Sequence, residues 1–437
     1  MMTFPRHVLG SVVLCGVLLA TPAGAQTPAA SSVNPVGPVS LRDVVELTLA
    51  QSPELLAYDA GRTEAEARRQ QAGRLPNPVL TTMVEDVAGS DSSLDVAAVI
   101  QPQTTVQLSQ LIELGGKRAA RLRLAGLDRD IATWNYEAAR LDVLARVTSA
   151  FVGVLASQQA VAHTVEALGV ARQVRDTVGA RVAAGVVSPI AETRADVLVA
   201  TAQIEVDRAR RTLEARRVEL ATLWGSPVAA FTAVTGDLEM RPDVPPLAVL
   251  QAAAESNPDV ARWSTEIERR RAATTVARAA QVPDLEVTAG YRRFTSVDSH
   301  AFVVGATIPL PLFDRNRDGV RAAEAAVERT AQTGRAVQLQ LRARLAEAYR
   351  TLISANDDAT TLRSQIVPGA RAVFDAVREG YELGRFGLMD VLDAQRALVD
   401  ANGRYLEALA SVHHAVATVE RLVGRPLADS GTGRRQD

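Results

Sequence analysis

No proline interrupts residues 116–182, and at ~1.5 Å per residue one unbroken helix over that span reaches about 100 Å. Its apolar positions Leu127, Ile131, Trp134, Ala138, Leu141, Ala145, Thr148, Val152 and Leu155 alternate steps of four and three. That spacing predicts a heptad seam and side-by-side coiled-coil packing. The same rule returns at Leu341, Leu345, Ala348, Leu352, Ala355, Ala359 and Leu362, and again at Leu398, Asn402, Tyr405, Leu409, Val412, Val416 and Val419. Apolar residues make up 47% of the chain but aromatic ones only 4%, which favours long helices over an aromatic-rich core.

The second seam exists because the chain is duplicated. Ser52, Pro53, Glu54 and Leu55 return as Asn257, Pro258, Asp259 and Val260. Leu223, Trp224 and Gly225 return as Leu422, Val423 and Gly424, Arg118 corresponds to Arg317, and Gly185 to Gly384. The repeats run over residues 26–246 and 247–424, followed by a tail at 425–437. The proline-rich 241–246 links them, since proline cannot continue a helix. In each copy the long helix breaks at a glycine turn before a second helix starts. The first turn carries Gly185, Val186, Ser188 and Pro189; the second carries Gly384, Arg385, Phe386, Gly387 and Leu388. The helices expected at 53–75 and 189–223 together nearly match the long helix in length. Each copy is therefore expected to be one thick antiparallel pair, with the glycine turn at one end and strands at the other.

Residues 79–86, 104–112, 285–294 and 301–310 read as those strands, with β-branched residues alternating with polar ones. Leu285, Val287, Ala289 and Tyr291 share one face, as do Phe302, Val304, Ala306 and Ile308. Residues 1–25 read as a secretory signal, with Arg6 and His7 before an apolar run and Ala23, Gly24 and Ala25 at the cleavage site. The only cysteine, Cys15, lies inside that run behind Leu14, which argues against a lipid anchor, and cleavage would leave a mature chain without disulfides. No later stretch is apolar for ~18 consecutive residues, so a membrane span must use strands. Four strands cannot close a barrel, because the smallest membrane barrels have about eight, and open edges are not tolerated in lipid. At least two chains must share one barrel. The formal net charge of −2 offers no nucleic-acid footprint.

The duplication, the strand-to-helix corners at Gly115, Gly116, Lys117, Arg118 and at Asp314, Arg315, Asn316, Arg317, and the turn with Tyr381, Gly384, Asp390, Val391, Leu392, Asp393 and Ala394 together resemble the TolC-like outer-membrane efflux family. The stretch 112–118 and the turn 185–190 more narrowly resemble its cobalt–zinc–cadmium branch. The resemblance implies a mainly helical fold with a membrane β-barrel: a homotrimer whose twelve strands stand above a periplasmic tunnel. It implies a channel embedded in outer-membrane lipid that docks on a periplasmic adaptor and an inner-membrane resistance-nodulation-division pump. It implies no catalysis and no cofactor. It places Asp390 and Asp393 in inward-facing acidic rings at the tunnel mouth and Tyr381 as a gating tyrosine, with the two turns as adaptor-docking tips. Read without the family, Asp390 and Asp393 are also acidic residues of a first helical turn, favoured there by the macrodipole.

Two departures stand out. Phe386 occupies the place of the gating arginine of drug-exporting members, and Ala191 that of a first-copy aspartate, with Glu192 beside it. The corner glycines lack P-loop spacing and read as a tight turn, and Asp314 or Asn316 is expected to cap the second corner. His163, His300, His413 and His414 lack the convergent partners a metal site needs, so no metal site is expected. Aromatic residues on the strands, Tyr291, Phe294 and Phe302, with Phe313 beyond, make a weak girdle. Rival readings are the same channel exporting organic compounds or a secreted protein, and a periplasmic coiled-coil scaffold.

Overall fold

A computed structural model describes residues 34–85, 103–294 and 299–427. The expected signal segment 1–25, most of the loop between the first two strands, and most of the tail lie outside them. In chain order the elements are β1 (Gly37–Ser40), α1 (Leu41–Gln51), α2 (Pro53–Ala72), β2 (Val79–Glu85), β3 (Gln103–Ile112), α3 (Lys117–Ala183), α4 (Ile190–Thr222) and β4 (Phe231–Thr235). The second half repeats the plan with α5 (Leu247–Ala254), α6 (Pro258–Ala279), β5 (Leu285–Phe294), β6 (Ser299–Thr307), α7 (Arg317–Thr361), α8 (Val367–Glu382) and α9 (Leu388–Val423).

The end-to-end stacking holds. Along α3, Arg121 donates to the carbonyl of Ala72 at the end of α2, and Arg146 pairs with Glu54 at its start. Farther along, Arg216 of α4 passes Gly153, and Asp196 pairs with Arg175. α2 and α4 therefore lie in succession along one antiparallel partner. They meet where Pro53 Cγ would stand 3.1 Å from a Cβ on Gly225. In the second copy α6 runs along the start of α7 and α9 along the rest, and the joint is again a helix start against a glycine. Buried Asn257 donates to the carbonyls of Arg421 (2.8 Å) and Leu422 (3.0 Å), just before Gly424, and accepts from Asp259 N–H.

The second-copy seam from Leu341 to Leu362 is buried as expected, with Leu345 and Leu352 fully so, whereas on α9 Leu409, Val412, Val416 and Val419 are buried and Leu398, Asn402 and Tyr405 only half so. The first-copy seam needs correction. On α3 the buried line is Ala139, Val143, Val147, Phe151 and Val154, and only Val152 and Leu155 of the expected seam are buried with it. α3 has α1, α2, α4, α6 and α9 as neighbours, so it is covered from several sides and no single heptad stripe describes it.

α7 continues into α8 through a π-helical turn, Leu362–Ile366. Pro368 lies two residues beyond this turn; its ring has no N–H for Ser364 and would crowd that carbonyl in a regular helix. The wider turn absorbs the misfit. Against this point the linker folds back. Glu239 accepts from Tyr405 Oη (2.8 Å) and pairs with Arg363 (3.1 Å), Arg241 reaches Asn356 Oδ1 (2.7 Å), and His413 Nε2 meets the carbonyl of Leu238 (2.9 Å). Burial, then the hydrogen bond to Glu239, pushes the Tyr405 phenol up to about 12. The parallel β1–β4 pair beside this clasp has no signature in the sequence, because strands of four and five residues are too short to show a period.

The four remaining strands form one antiparallel sheet in the order β2-β3-β5-β6, with β2 and β6 as free edges. Strand β6 stops at Thr307, short of the expected 310, since Pro309 cannot donate to a ladder. Ile308 therefore falls beyond the apolar face expected to include it.

Candidate functional site: the sheet and the paired turns

The sheet's two faces invert the rule for soluble proteins. Cross-strand register puts Leu80, Leu108, Ala289 and Val304 in one row, and Thr82, Val106, Tyr291 and Phe302 in another. This face is apolar yet exposed, with Phe302 at 85% and Val304 at 81%. The opposite face carries Glu85, Thr105, Gln107, Ser109, Thr288 and Arg292, and here Thr105 and Ser109 are buried. Ser109 and Thr288 hydroxyls meet at 3.1 Å, and Arg292 donates to Thr105 Oγ1 at 3.0 Å. A Cβ on Gly290 would stand 2.8 Å from Gln107 Cβ, so this face is the crowded, concave one. An apolar convex face over a polar concave face is the pattern of a barrel wall with lipid outside and water inside. Tyr291 packs edge-on against Phe302 on the apolar face, whereas Phe294 falls on the polar one.

At the sheet's base both corners use left-handed backbone. Gly115 and Gly116 have φ of 68° and 72°, and in the second copy Asn316 takes the place of Gly116 with φ 52°. Asparagine is among the few residues that adopt this conformation readily. Expectation and structure differ in two details. Asp314 accepts from Asn316 N–H within the turn and Asn316 donates to the carbonyl of Ala277, so neither side chain caps α7. Arg317 also corresponds to Lys117, the first helical residue, rather than to Arg118. The copies are clamped here. Asp284 accepts from Lys117 Nζ (2.7 Å) and Leu114 N–H (3.1 Å), and Arg121 holds Glu113 Oε2 (3.0 Å). Burial pushes Asp284 up, but Lys117, the Leu114 amide and Arg121 together hold it below the usual carboxylate range. The Arg121 hydrogen bonds do the same for Glu113.

At the far end both turns close alike. Val186 N–H returns to the carbonyl of Arg181 (2.9 Å), and Arg385 N–H to that of Gly380 (2.7 Å), with Gly185 and Gly384 left-handed at φ 68° and 76°. This is the Schellman closure, which glycine enters at no steric cost. Val186, Leu383, Phe386 and Met389 are left exposed around the turns. Ser188 and Pro189 lead into α4, and Gly387 and Leu388 into α9.

Tyr381 lies inside the tip rather than on its surface, at 5% exposure in a small core with Val178, Ala195, Phe374 and Val391. Arg181 of the first copy lies over its ring at 4.4 Å and donates to the carbonyl of Glu382 at 3.1 Å. The Tyr381 hydroxyl has no partner. Phe386 packs onto Gly380 of its own turn. Asp390 is exposed, but its Oδ2 accepts from Gly387 N–H at 2.8 Å and so closes the first turn of α9. Asp393 is more open, 3.8 Å from Arg396. Ala191 is partly buried in the same tip core. Arg181 went unnoticed in the sequence, because its partner is some 200 residues away and no local spacing connects them.

The family model for outer membrane efflux proteins matches the chain twice, over residues 44–226 and 249–425. The chain belongs to this family. It is 34% identical to the cobalt-zinc-cadmium resistance protein CzcC of Cupriavidus metallidurans, over 92% of this chain and 96% of that one. It is 30% identical to the nickel and cobalt resistance protein CnrC of the same organism, over 66% and 67%. Among solved structures, CusC superposes with a TM-score of 0.76 at 16% identity, covering 88% of this chain and 92% of that one. The Neisseria gonorrhoeae MtrE outer membrane channel superposes with a TM-score of 0.70 at 19% identity, covering 89% of each. Outer membrane efflux proteins are passive trimeric channels, not enzymes, and work with adaptor proteins and inner-membrane pumps. Three copies of the four-stranded sheet give the barrel, which removes the free edges of β2 and β6.

Proposed function

We propose that this efflux channel serves a tripartite resistance-nodulation-division pump and carries divalent heavy-metal cations from the adaptor to the cell exterior. The observation that carries the metal reading is the 34% identity with the cobalt-zinc-cadmium resistance protein over nearly both whole chains. The exposed carboxylates at the second turn agree with it. In a trimer Asp390 and Asp393 would each supply three negative charges around one axis, enough to concentrate cations without a tight binding site. Among the described residues no group of three His, Cys, Asp or Glu side chains could hold a metal ion. The exposed apolar side chains Val186, Phe386 and Met389 are proposed to seat the adaptor, and Tyr381 to set the closed packing of the tip. Residues 1–25 are proposed to direct export.

Deleting the gene tests the cargo. Cobalt, zinc, cadmium or nickel salts should become toxic at lower concentration, and the full-length chain should restore tolerance. Unchanged metal tolerance with increased sensitivity to organic compounds would favour the second reading. That reading has its own support in a 27% identity with the pyoverdine export protein OpmQ of Pseudomonas putida, over 99% of this chain and the whole of that one.

A further inference from the structure

The two turns are equivalent position by position, because each closes on the carbonyl five residues back, Val186 on Arg181 and Arg385 on Gly380. That correspondence sets Arg181 against Gly380 and Val182 against Tyr381. The copies therefore differ at two adjacent positions, with a guanidinium in the first copy and a phenol in the second. Those two side chains are the ones that meet, the guanidinium carbon 4.4 Å from the ring centroid. Arg181 also donates to the carbonyl of Glu382 at 3.1 Å, one residue beyond the ring it covers. One arginine of the first copy thus holds both a side chain and the backbone of the second turn.

The hydroxyl of the same tyrosine acts in the opposite direction. It is buried and has no hydrogen-bond partner among the described residues. A phenolic O–H buried unpaired destabilises the packing that strands it, and regains its hydrogen bonds on reaching water. The core around it draws on all four helices of the tip, with Val178 from α3, Ala195 from α4, Phe374 from α8 and Val391 from α9. Parting the two turns opens that core, wets the hydroxyl and breaks both Arg181 contacts. Tyr381 therefore carries a restraint on its ring and a release on its oxygen.

We propose that Arg181 is a latch residue of the tip, and that the Tyr381 hydroxyl is a counterweight that keeps the latch releasable. The latch grips the ring, not the oxygen. This rests on the reading above that Tyr381 sets the closed packing, and it supplies a restraint between the copies that needs no arginine at position 386. The cation over the ring and the charged hydrogen bond favour the packed tip, whereas the stranded hydroxyl favours the parted one. The opposing contributions are of similar size. A partner that engages the tip then needs only a modest preference for the parted state to shift the balance.

The test is the resting open probability of the full-length trimer in planar bilayers. Tyr381→Phe keeps the ring and removes the oxygen, so it should lower the open probability roughly tenfold. Arg181→Met keeps an aliphatic stem and removes the charge, so it should raise the open probability by a similar factor. Arg181→Lys keeps the cation and should fall between wild type and Arg181→Met. Opposite signs from the two partners are the signature, because a merely structural contact would be weakened by either change. Unchanged or higher open probability in Tyr381→Phe would overturn the counterweight, and unchanged gating in Arg181→Met would overturn the latch. Tyr381→Leu separates these failures from failure of the underlying reading. It should open the tip; if it does not, Tyr381 does not set the closed packing and the latch falls with it.

Discussion

Gly380 is where the second turn has least room. A Cβ built there would lie 2.3 Å from Phe386 Cδ2 and 2.7 Å from Cε2, distances at which the ring must leave. Gly380→Ala should therefore destabilise the tip by about 1–3 kcal/mol, the usual cost of overpacking. Phe386→Ala in the same chain should restore most of that loss, because the pair shares one contact. Local hydrogen exchange at residues 374–391 is the readout, and an additive double variant would contradict the packing. This contact also gives Phe386 a structural part that the sequence did not disclose. The residue was visible only as a departure from the arginine of other members. Its role follows from the helix carrying no side chain at 380. Arg181 and Tyr381 are similar: both residue types were legible, but their meeting at 4.4 Å depends on two turns assembled from separate copies. A double-mutant cycle on Arg181→Ala and Tyr381→Leu should give a coupling of about 0.5–2 kcal/mol, the range for a cation over an aromatic face.

The helices and corners were more legible than the contacts within them. Repeat motifs that looked like separate landmarks turn out to touch, since the Ser52–Pro53 start meets Gly225 and the Asn257–Pro258 start meets Gly424. Duplicated pairs of motifs therefore mark duplicated joints. The α3 seam was misread because heptad reasoning assumes one partner per helix, and among the described residues α3 has five, α1, α2, α4, α6 and α9. At the corner joining the copies, charge predicts a pH response. Glu113 and Asp284 both titrate lower when folded than when unfolded. Their stabilisation is therefore fully present above the ordinary carboxylate range and disappears as pH falls through the lowered values. The corner should loosen only in acid, below roughly pH 4. Thermal unfolding of the wild type and of Asp284→Asn across pH 3 to 7 checks this. The variant should be less stable at neutral pH and lose less on acidification; parallel curves would show that the clamp contributes nothing.

At the scale of the whole molecule, the two sheet faces make unequal demands on one substitution. Val303 and Val304 are neighbours on β6, but Val303 lies on the concave face with Gly290 and Val304 on the convex face with Ala289 and Leu108. Val304→Arg would place a cation against lipid tails, at a cost of about 2–4 kcal/mol near the bilayer midplane. Val303→Arg would direct the same side chain into the water-filled bore, among Thr288 and Arg292. The first should reduce the heat-stable trimer recovered from outer membranes. The second should leave assembly intact and alter only conduction, by adding three positive charges per barrel that oppose cations. Trimer recovery on semi-native gels and single-channel cation selectivity in planar bilayers separate the two effects. Equal assembly of both variants would contradict the lipid-facing assignment of the convex side. Equal failure of both would mean that β6 cannot accept arginine on either face, and that the concave side is packed rather than open to water.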